Sequence, residues 1–280
     1  MLLLLLACSG SGLQDSGSPD SGTPSSGSLS VLSYNVHGLP EAVTGDDTPA
    51  RMAAIAPLLP AFQLIGLQED WDGSNHEVLV AEGTWPIQEW FDDTLDDSRL
   101  YGSGLSLLSP GTELLLHEQH YTECNGVLDG ASDCLASKGF QMLRVDLGGV
   151  QLDVYNTHLE AGGGDDDDAA RASNVAELLA AMEKLSTDRA VIAMGDTNLH
   201  GDDPEDQLLI AQFEDAGLRN ACDEVGCPEP DRIDRIMVRD GGGVALTVQS
   251  WQVPQGFLDA GGVPLSDHDP IAVELAWAVQ

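Results

Sequence analysis

From residue 29 onward, apolar residues alternate with polar ones or gather in short blocks, and the period is mostly that of strands. "LSVLSYNV" (29–36) alternates as a strand, and "FQLIGLQED" (62–70) is a compact apolar run that ends in two acids. "GSGLSLLS" (102–109), "TELLLHEQ" (112–119), "GFQMLRVDL" (139–147), "VQLDVYNTHL" (150–159), "RAVIAMGDTN" (189–198), "RIDRIMVR" (232–239) and "VALTVQSW" (244–251) read as further strands. The last is "HDPIAVEL", where Ile271, Val273 and Leu275 share a face. Thr48-Pro49 offers a cap and first-turn proline for a helix carrying Met52, Ile55 and Leu59, which Pro57 and Pro60 should keep short or kinked. The strongly amphipathic helix is 169–186, with Val175, Leu178, Leu179, Met182 and Leu185 on one face.

Many strands with few helices predict an α/β (α+β) fold, layered and mixed, as one domain over 29–280 without internal repeats. Residues 1–28, "MLLLLLACSGSGLQDSGSPDSGTPSSGS", differ: a leucine run ends in Leu5-Leu6-Ala7-Cys8, and an aperiodic Ser/Gly/Pro tract follows. This stretch resembles a lipoprotein-type signal and a flexible tether, which implies a lipid on Cys8, membrane attachment through it, and a protein exported to the cell envelope. An ordinary secretory signal is the alternative. No basic residue precedes the leucines, so the expected true start lies upstream of Met1.

Four cysteines remain: Cys124 and Cys134, ten apart, and Cys222 and Cys227, five apart. Export makes a small loop disulfide the expectation for each pair; zinc is disfavoured, because neither pair has a CxxC spacing or an accompanying histidine pair. Charge narrows the partners. Eleven Lys and Arg oppose 47 Asp and Glu, a balance of −36, which repels polyanions and makes nucleic acid a poor partner.

Chemistry-bearing residues collect where strands end: Asn35 in "SYN", Glu69 in "LQED", His158 in "NTHL", Asp196 and Asn198 in "GDTN", and Asp267 and His268 in "SDHDP" before the last strand. Strand ends hold side chains rigidly, and oxygen donors from Asn, Asp and Glu suit Mg²⁺ or Ca²⁺ better than zinc or copper. The ordered set "SYNV", "GLQED", "YNTHLEAG", "MGDTN", "RIDRI" and "SDHDP" resembles the endonuclease/exonuclease/phosphatase superfamily, the deoxyribonuclease-I-like phosphoesterases. The resemblance covers the chain from 29 onward and implies a four-layer α/β/β/α sandwich of two mixed sheets flanked by helices.

It further implies a metal-dependent phosphodiesterase, with Mg²⁺ or another divalent cation such as Mn²⁺, Co²⁺ or Ca²⁺ held by Asn35 and Glu69, and Asp267 close by. Asp196 and Asn198 would orient the attacking water and bind phosphate oxygens. His268 would be the general base, or bind phosphate, with Asp234 fixing its tautomer; His158 would protonate the leaving oxygen or stabilise the charge around phosphorus. Imidazoles titrate near neutrality, which suits that work. For Asp234, a salt bridge to Arg232 or Arg235 is the competing role.

"DCLASKGFQMLRVDL" (133–147) is similar to the "KGF" segment of secreted bacterial sphingomyelinases, which makes Lys138 a candidate for facing phosphate or bracing a loop, against a plain surface lysine. "VALTVQSWQVPQGF" (244–257) stands where those enzymes carry a membrane-dipping aromatic hairpin, so Trp251 and Phe257 are candidates for that part, against a place in the core. His37, His76, His117, His120 and His200 lack a motif and read as surface or loop residues. In "GGGDDDD" (162–168), Asp168 is the expected helix cap, with a second cation site as the alternative. The combined expectation is an exported, monomeric phosphodiesterase acting on a phospholipid headgroup such as that of sphingomyelin. An exported nuclease and a non-catalytic surface lipoprotein of the same fold are the alternatives.

Overall fold

The computed structural model describes residues 25–41, 45–126, 133–229 and 231–280; the leucine run, Cys8 and most of the expected tether lie outside these. Twelve strands among the described residues form two six-stranded sheets. The first contains β1 (Ser26–Asn35), β2 (Leu64–Gln68), β3 (Ile87–Phe91), β4 (Leu105–Ser109), β11 (Val244–Gln252) and β12 (Ile271–Val279), in the order β11-β12-β1-β2-β4-β3. The second contains β5 (Thr112–His120), β6 (Gly139–Asp146), β7 (Gln151–His158), β8 (Val191–Asp196), β9 (Arg219–Asn220) and β10 (Asp234–Arg239), in the order β5-β6-β7-β8-β10-β9. Each sheet holds one parallel pair, β1 with β2 and β7 with β8, and is otherwise antiparallel.

The alternation in β1 shows how the layers arise. Leu29 and Val31 enter the core between the sheets, with Leu64, Leu143, Ile192 and Val273. Leu32 and Tyr34 point the other way, onto α1 (Thr48–Ile55), the 3₁₀ turn Ala56–Ala61 and α2 (Gly73–Val80). A third cluster joins β6, β7 and β8 to α3 (Asp165–Leu185) and α4 (Pro204–Asp215) through Phe140, Tyr155, Val175, Met182 and Phe213. Helix, sheet, sheet, helix is the expected four-layer sandwich.

At the site end the apolar filling between the sheets gives way to polar stitching. Asn156 of β7 donates to the carbonyls of Leu67 (2.9 Å) and Ser106 (3.0 Å) and accepts from Gln68 Nε2 (2.7 Å), all buried. Gly66 permits the close approach: a Cβ there would stand 2.7 Å from Met194 Sδ and 2.9 Å from Asn156 Oδ1. The Asn156 amide is satisfied on both its nitrogen and its oxygen, so it ties the ends of β2 and β4 to β7 across the two sheets.

Several boundaries differ from the sequence reading. β1 begins at Ser26, so Ser26–Ser28, expected in the tether, pair with the end of β12. β3, α2, α4 and the one-turn α5 (Ala221–Val225) were not foreseen. α2 buries only Asn75 and Leu79 and shows no apolar stripe, whereas α4 lays Leu209, Ile210 and Phe213 on one face, a short stripe that the sequence reading passed over. Asp168 does not cap α3; Gly164 is the N-cap, Asp167 accepts from its N–H at 3.0 Å, and Asp168 pairs with Arg171. The acids of this run therefore sit in the first turn, where a helix N-terminus favours negative charge.

Both expected disulfides form, Cys124–Cys134 and Cys222–Cys227. Phe257 is buried edge-on against Tyr34, 5.1 Å between ring centroids, and Trp251 packs on the inter-sheet core. Neither is a membrane-dipping residue.

Candidate active site

The β1, β2, β7 and β8 C-termini meet with the segment before β12, and the expected residues arrive together. Asn35 closes β1 and is fully buried. Its Nδ2 donates to Glu69 Oε1 (2.9 Å) and Asp196 Oδ2 (3.1 Å), so one amide joins carboxylates from both sheets. His158 and Asp196 end β7 and β8 as register partners, and Asp234, which opens β10, pairs with Asp196 from the other side. His268 enters from the loop before β12. Its N–H donates to Ser266 Oγ at 3.2 Å, and that hydroxyl is itself tied to Asn35 O at 2.7 Å.

Around Asp196 the side chains form a tight array. His268 Nδ1 donates to Asp234 Oδ2 at 2.9 Å, leaving Nε2 3.6 Å from Asp196 Oδ2. His158 Nε2 is 3.5 Å from that same oxygen. The salt bridge considered for Asp234 is not made: Arg232 pairs with Glu229 and Asp269, while Arg235 is buried against Thr197 Oγ1 and Leu199 O. Asn198 spends one amide N–H on Leu159 O (3.0 Å) and lines the same pocket of about 460 Å³ as Glu69, His158, Asp196 and His268.

Two of these residues hold unusual backbone. Glu69 (φ 60°) and Asn198 (φ 49°) lie in the left-handed region, which a glutamate adopts only under constraint. The constraint at Glu69 is visible: its carbonyl accepts from Gly38 N–H, and the next residue's N–H donates to Gly104 O, both at 2.9 Å.

Electrostatics divide the two histidines. Burial disfavours charge on His268, yet the hydrogen bond to Asp234 and the charges of Asp234, Asp196 and Asp267 outweigh it and push its pKa up to about 10. His158 goes the other way, held well below its ordinary value by burial and the nearby Lys138 charge. It is a neutral donor at neutral pH, and its Nδ1 is buried without a partner. Burial also raises Asp196, helped by the like charge of Asp234. Burial works against charge on Glu69 too, but the contact with His37 and the hydrogen bond from Asn35 hold it well below the usual carboxylate range, so it is ionised.

His37 was read as a surface or loop residue, and it does lie in the loop after β1, but at the site: its Nδ1 stands 3.7 Å from Glu69 Oε2 and 3.3 Å from Asp267 Oδ1. An imidazole between two carboxylates marks a place that calls for positive charge. Glu69 and Asp267 are hard oxygen donors, and Asp267 is largely exposed, so the spot fits a hydrated divalent cation. Asn35 fits less directly, because its Oδ1 accepts from His37 N–H at 3.0 Å and its Nδ2 faces the carboxylates. Asp196, Asp234 and His268 form a second group of close donors.

Three other histidines lie in regular structure and not in loops. His76 stacks on Trp90 and bonds Asp70 at 2.6 Å, and His120 stacks on Phe91 and bonds Ser137 O at 2.8 Å, while His200 is exposed. His117 is half-buried, 6.0 Å from Phe140. Lys138 is no surface lysine: it is buried, bound to Asp133 (2.9 Å) and Leu159 O (3.0 Å), and braces the pocket wall. Trp71 and Tyr101, also in that wall, went unnoticed. The signal for His37 and Trp71 was present, since each lies two residues past a strand-end ligand candidate.

A model of the Endonuclease/Exonuclease/phosphatase family matches residues 32–268. A sphingomyelinase of Mycobacterium tuberculosis is 31% identical over 277 residues, covering 87% of this chain and 52% of that protein. The chain thus spans about half the length of that relative. Among solved structures, sphingomyelinase C from Streptomyces griseocarneus superposes with a TM-score of 0.65 at 19% identity, covering 89% of this chain and 99% of that one. Beta toxin from Staphylococcus aureus, crystallised with bound magnesium ions, superposes with a TM-score of 0.67 at 16% identity, covering 88% and 99%. At these identities the two structures speak to the fold.

Proposed function

The chain belongs to the endonuclease/exonuclease/phosphatase family, and from that premise we propose that it is an exported, divalent-cation-dependent phosphodiesterase that cleaves a phospholipid headgroup, with sphingomyelin as the leading substrate. The observation that carries this is the Asp234–His268–Asp196–His158 array opening on one pocket beside Glu69. Glu69 and Asp267, braced by Asn35, would hold the cation, and Mg²⁺ is the first choice because the structurally similar beta toxin binds magnesium. A cation there supplies charge neutralisation for the phosphate oxygens.

The chain's own groups do the rest. Asp234 fixes the His268 ring so that Nε2 and Asp196 Oδ2, 3.6 Å apart, flank one point at the pocket floor. The raised pKa keeps His268 protonated, so a water there gives its proton to Asp196 Oδ2, whose basicity burial raises, while His268 Nε2–H holds the reacting oxygens by a hydrogen bond as the water attacks phosphorus. His158, neutral and buried, donates a hydrogen bond to a phosphoryl oxygen and stabilises the developing charge; without a proton to spare, it is the weaker choice for protonating the leaving group. Asn198 has a second amide N–H for another phosphoryl oxygen. The P–O bond to the alcohol breaks, the alkoxide takes up a proton from solvent water, and the products are an alcohol and a phosphomonoester.

The −36 balance favours a zwitterionic headgroup over a polynucleotide. Attachment through Cys8, export and a monomeric state remain part of the proposal. The test is a panel of sphingomyelin, phosphatidylcholine, DNA and inositol phosphates, each with Mg²⁺ and with chelator. Phosphocholine release that chelator abolishes, with DNA intact, supports the reading; cleavage of DNA alone replaces it with the nuclease.

A further inference from the structure

The pocket has two unlike halves. Beside the polar cluster, its wall is made by Trp71, Tyr101, Leu100 and Leu135. The Trp71 and Tyr101 ring centroids are 6.1 Å apart with planes tilted by 53°, and Trp71 lies 6.3 Å from the His158 ring. The aromatic pair therefore begins next to the imidazole that faces the phosphate. Trp71 is seated firmly: Gly104, at φ 61°, leaves room for its ring, which a Cβ would approach to 2.5 Å. Its indole Nε1 is buried without a partner, so Trp71 offers the pocket ring carbon and no donor.

This half of the wall holds no free charge. Lys138 is the one Lys or Arg among the described residues lining the pocket, and Asp133 and Leu159 O occupy its ammonium. Asp133 is occupied in turn, by Lys138 and by the Ala161 N–H at 2.6 Å. A primary ammonium entering here would exchange its water for few acceptors, the Tyr101 hydroxyl and the already engaged Asp133 oxygens. A quaternary ammonium has no N–H to satisfy, and its positive charge is attracted by the faces of Trp and Tyr rings.

We infer that Trp71 and Tyr101 form a specificity subsite for a quaternary ammonium, the choline of a phosphocholine ester whose phosphate lies against His158 and Asp196. This rests on the phosphodiesterase reading above and adds to it the choice among headgroups. Carbohydrate and nucleoside headgroups would find a wall with few hydrogen-bonding groups, and phosphoethanolamine would fit but pair poorly.

The experiment compares kcat/KM for sphingomyelin and ceramide phosphoethanolamine in mixed detergent micelles with Mg²⁺. Wild-type protein should favour the choline ester by at least about tenfold. Trp71→Leu and Tyr101→Leu should bring the ratio toward one, and Trp71→Phe should retain most of it. Calorimetric binding of free phosphocholine against phosphoethanolamine reads the subsite in wild-type protein without turnover or variants. Equal turnover of both lipids would overturn the subsite and leave the phosphodiesterase reading standing. Selective phosphocholine binding without hydrolysis of any ester supports the subsite and removes that reading. Equal binding of the two headgroups, or a folded Trp71→Leu with its ratio unchanged, overturns the subsite.

Discussion

Asp234 Oδ2 accepts a hydrogen bond from His268 Nδ1 at 2.9 Å, and the two residues come from strand β10 and from the loop before β12, in different sheets. This contact sets both the ring's orientation and its charge. The His268 pKa, pushed up to about 10, lies above its ordinary 6.5. Folding therefore takes up a proton between those values, and the pair stabilises fully below about pH 6.5 and loses that effect as pH rises through 10. In cation-free protein, Asp234→Asn should move the His268 NMR titration midpoint down and remove this part of the alkaline loss of stability. An unchanged midpoint would contradict the assignment.

Glu69 stays ionised despite burial and stands with Asp267 around His37. Glu69→Gln removes the charge and keeps the hydrogen bond from Asn35. Mg²⁺ binding measured by calorimetry should weaken by at least about tenfold, while the melting temperature in chelator changes little. Unaltered Mg²⁺ affinity would place the cation elsewhere, with the Asp196–Asp234–His268 group next in line.

The Lys138–Asp133 pair is buried and 2.9 Å apart. Lys138→Ala leaves the Asp133 carboxylate without its cation, and equilibrium unfolding should report a loss of about 3–5 kcal/mol. The double variant Lys138→Met with Asp133→Asn should recover part of that. A loss within about 0.5 kcal/mol would mean that solvent reaches the pair.

Glu160 is buried beside Asp133, and its pKa is raised to about 7. Burial is the main cause and the charge of Asp133 the next. Because the folded value exceeds the ordinary 4.5, stability falls as pH rises from 4.5 through 7. Glu160→Gln keeps an acceptor for the Asn125 N–H and should flatten that part of the curve. Above pH 7 the variant should melt on the order of a few degrees higher relative to wild type than it does at pH 5. An identical pH dependence in the two proteins would contradict the shift.

The alternation in β1, β2, β7 and β8 was enough to anticipate a layered mixed α/β domain with polar residues at its strand ends, while the four-layer sandwich and the convergence of Asn35, Glu69, His158, Asp196 and His268 followed from the resemblance carried by the ordered motifs. Strand period and strand end are local signals, so they survive in a single chain. The less visible features depend on tertiary contact. α2 fully buries only Asn75 and Leu79 and carries no apolar stripe. His37 matters because a turn in left-handed backbone brings it beside Glu69, and Trp71 matters because Gly104 opens a seat for its ring. Asn156, locking one sheet to the other, reads in sequence as an ordinary strand residue.

The most direct test of the central claim, that these side chains form one phosphodiester-cleaving centre, is the turnover of bis-p-nitrophenyl phosphate. Wild-type protein, His268→Ala and His158→Ala would be compared with Mg²⁺ and with chelator, each checked for a native melting transition. Wild-type turnover should require Mg²⁺, and each folded variant should be at least about a hundredfold slower. Wild-type rates in both variants would contradict the account.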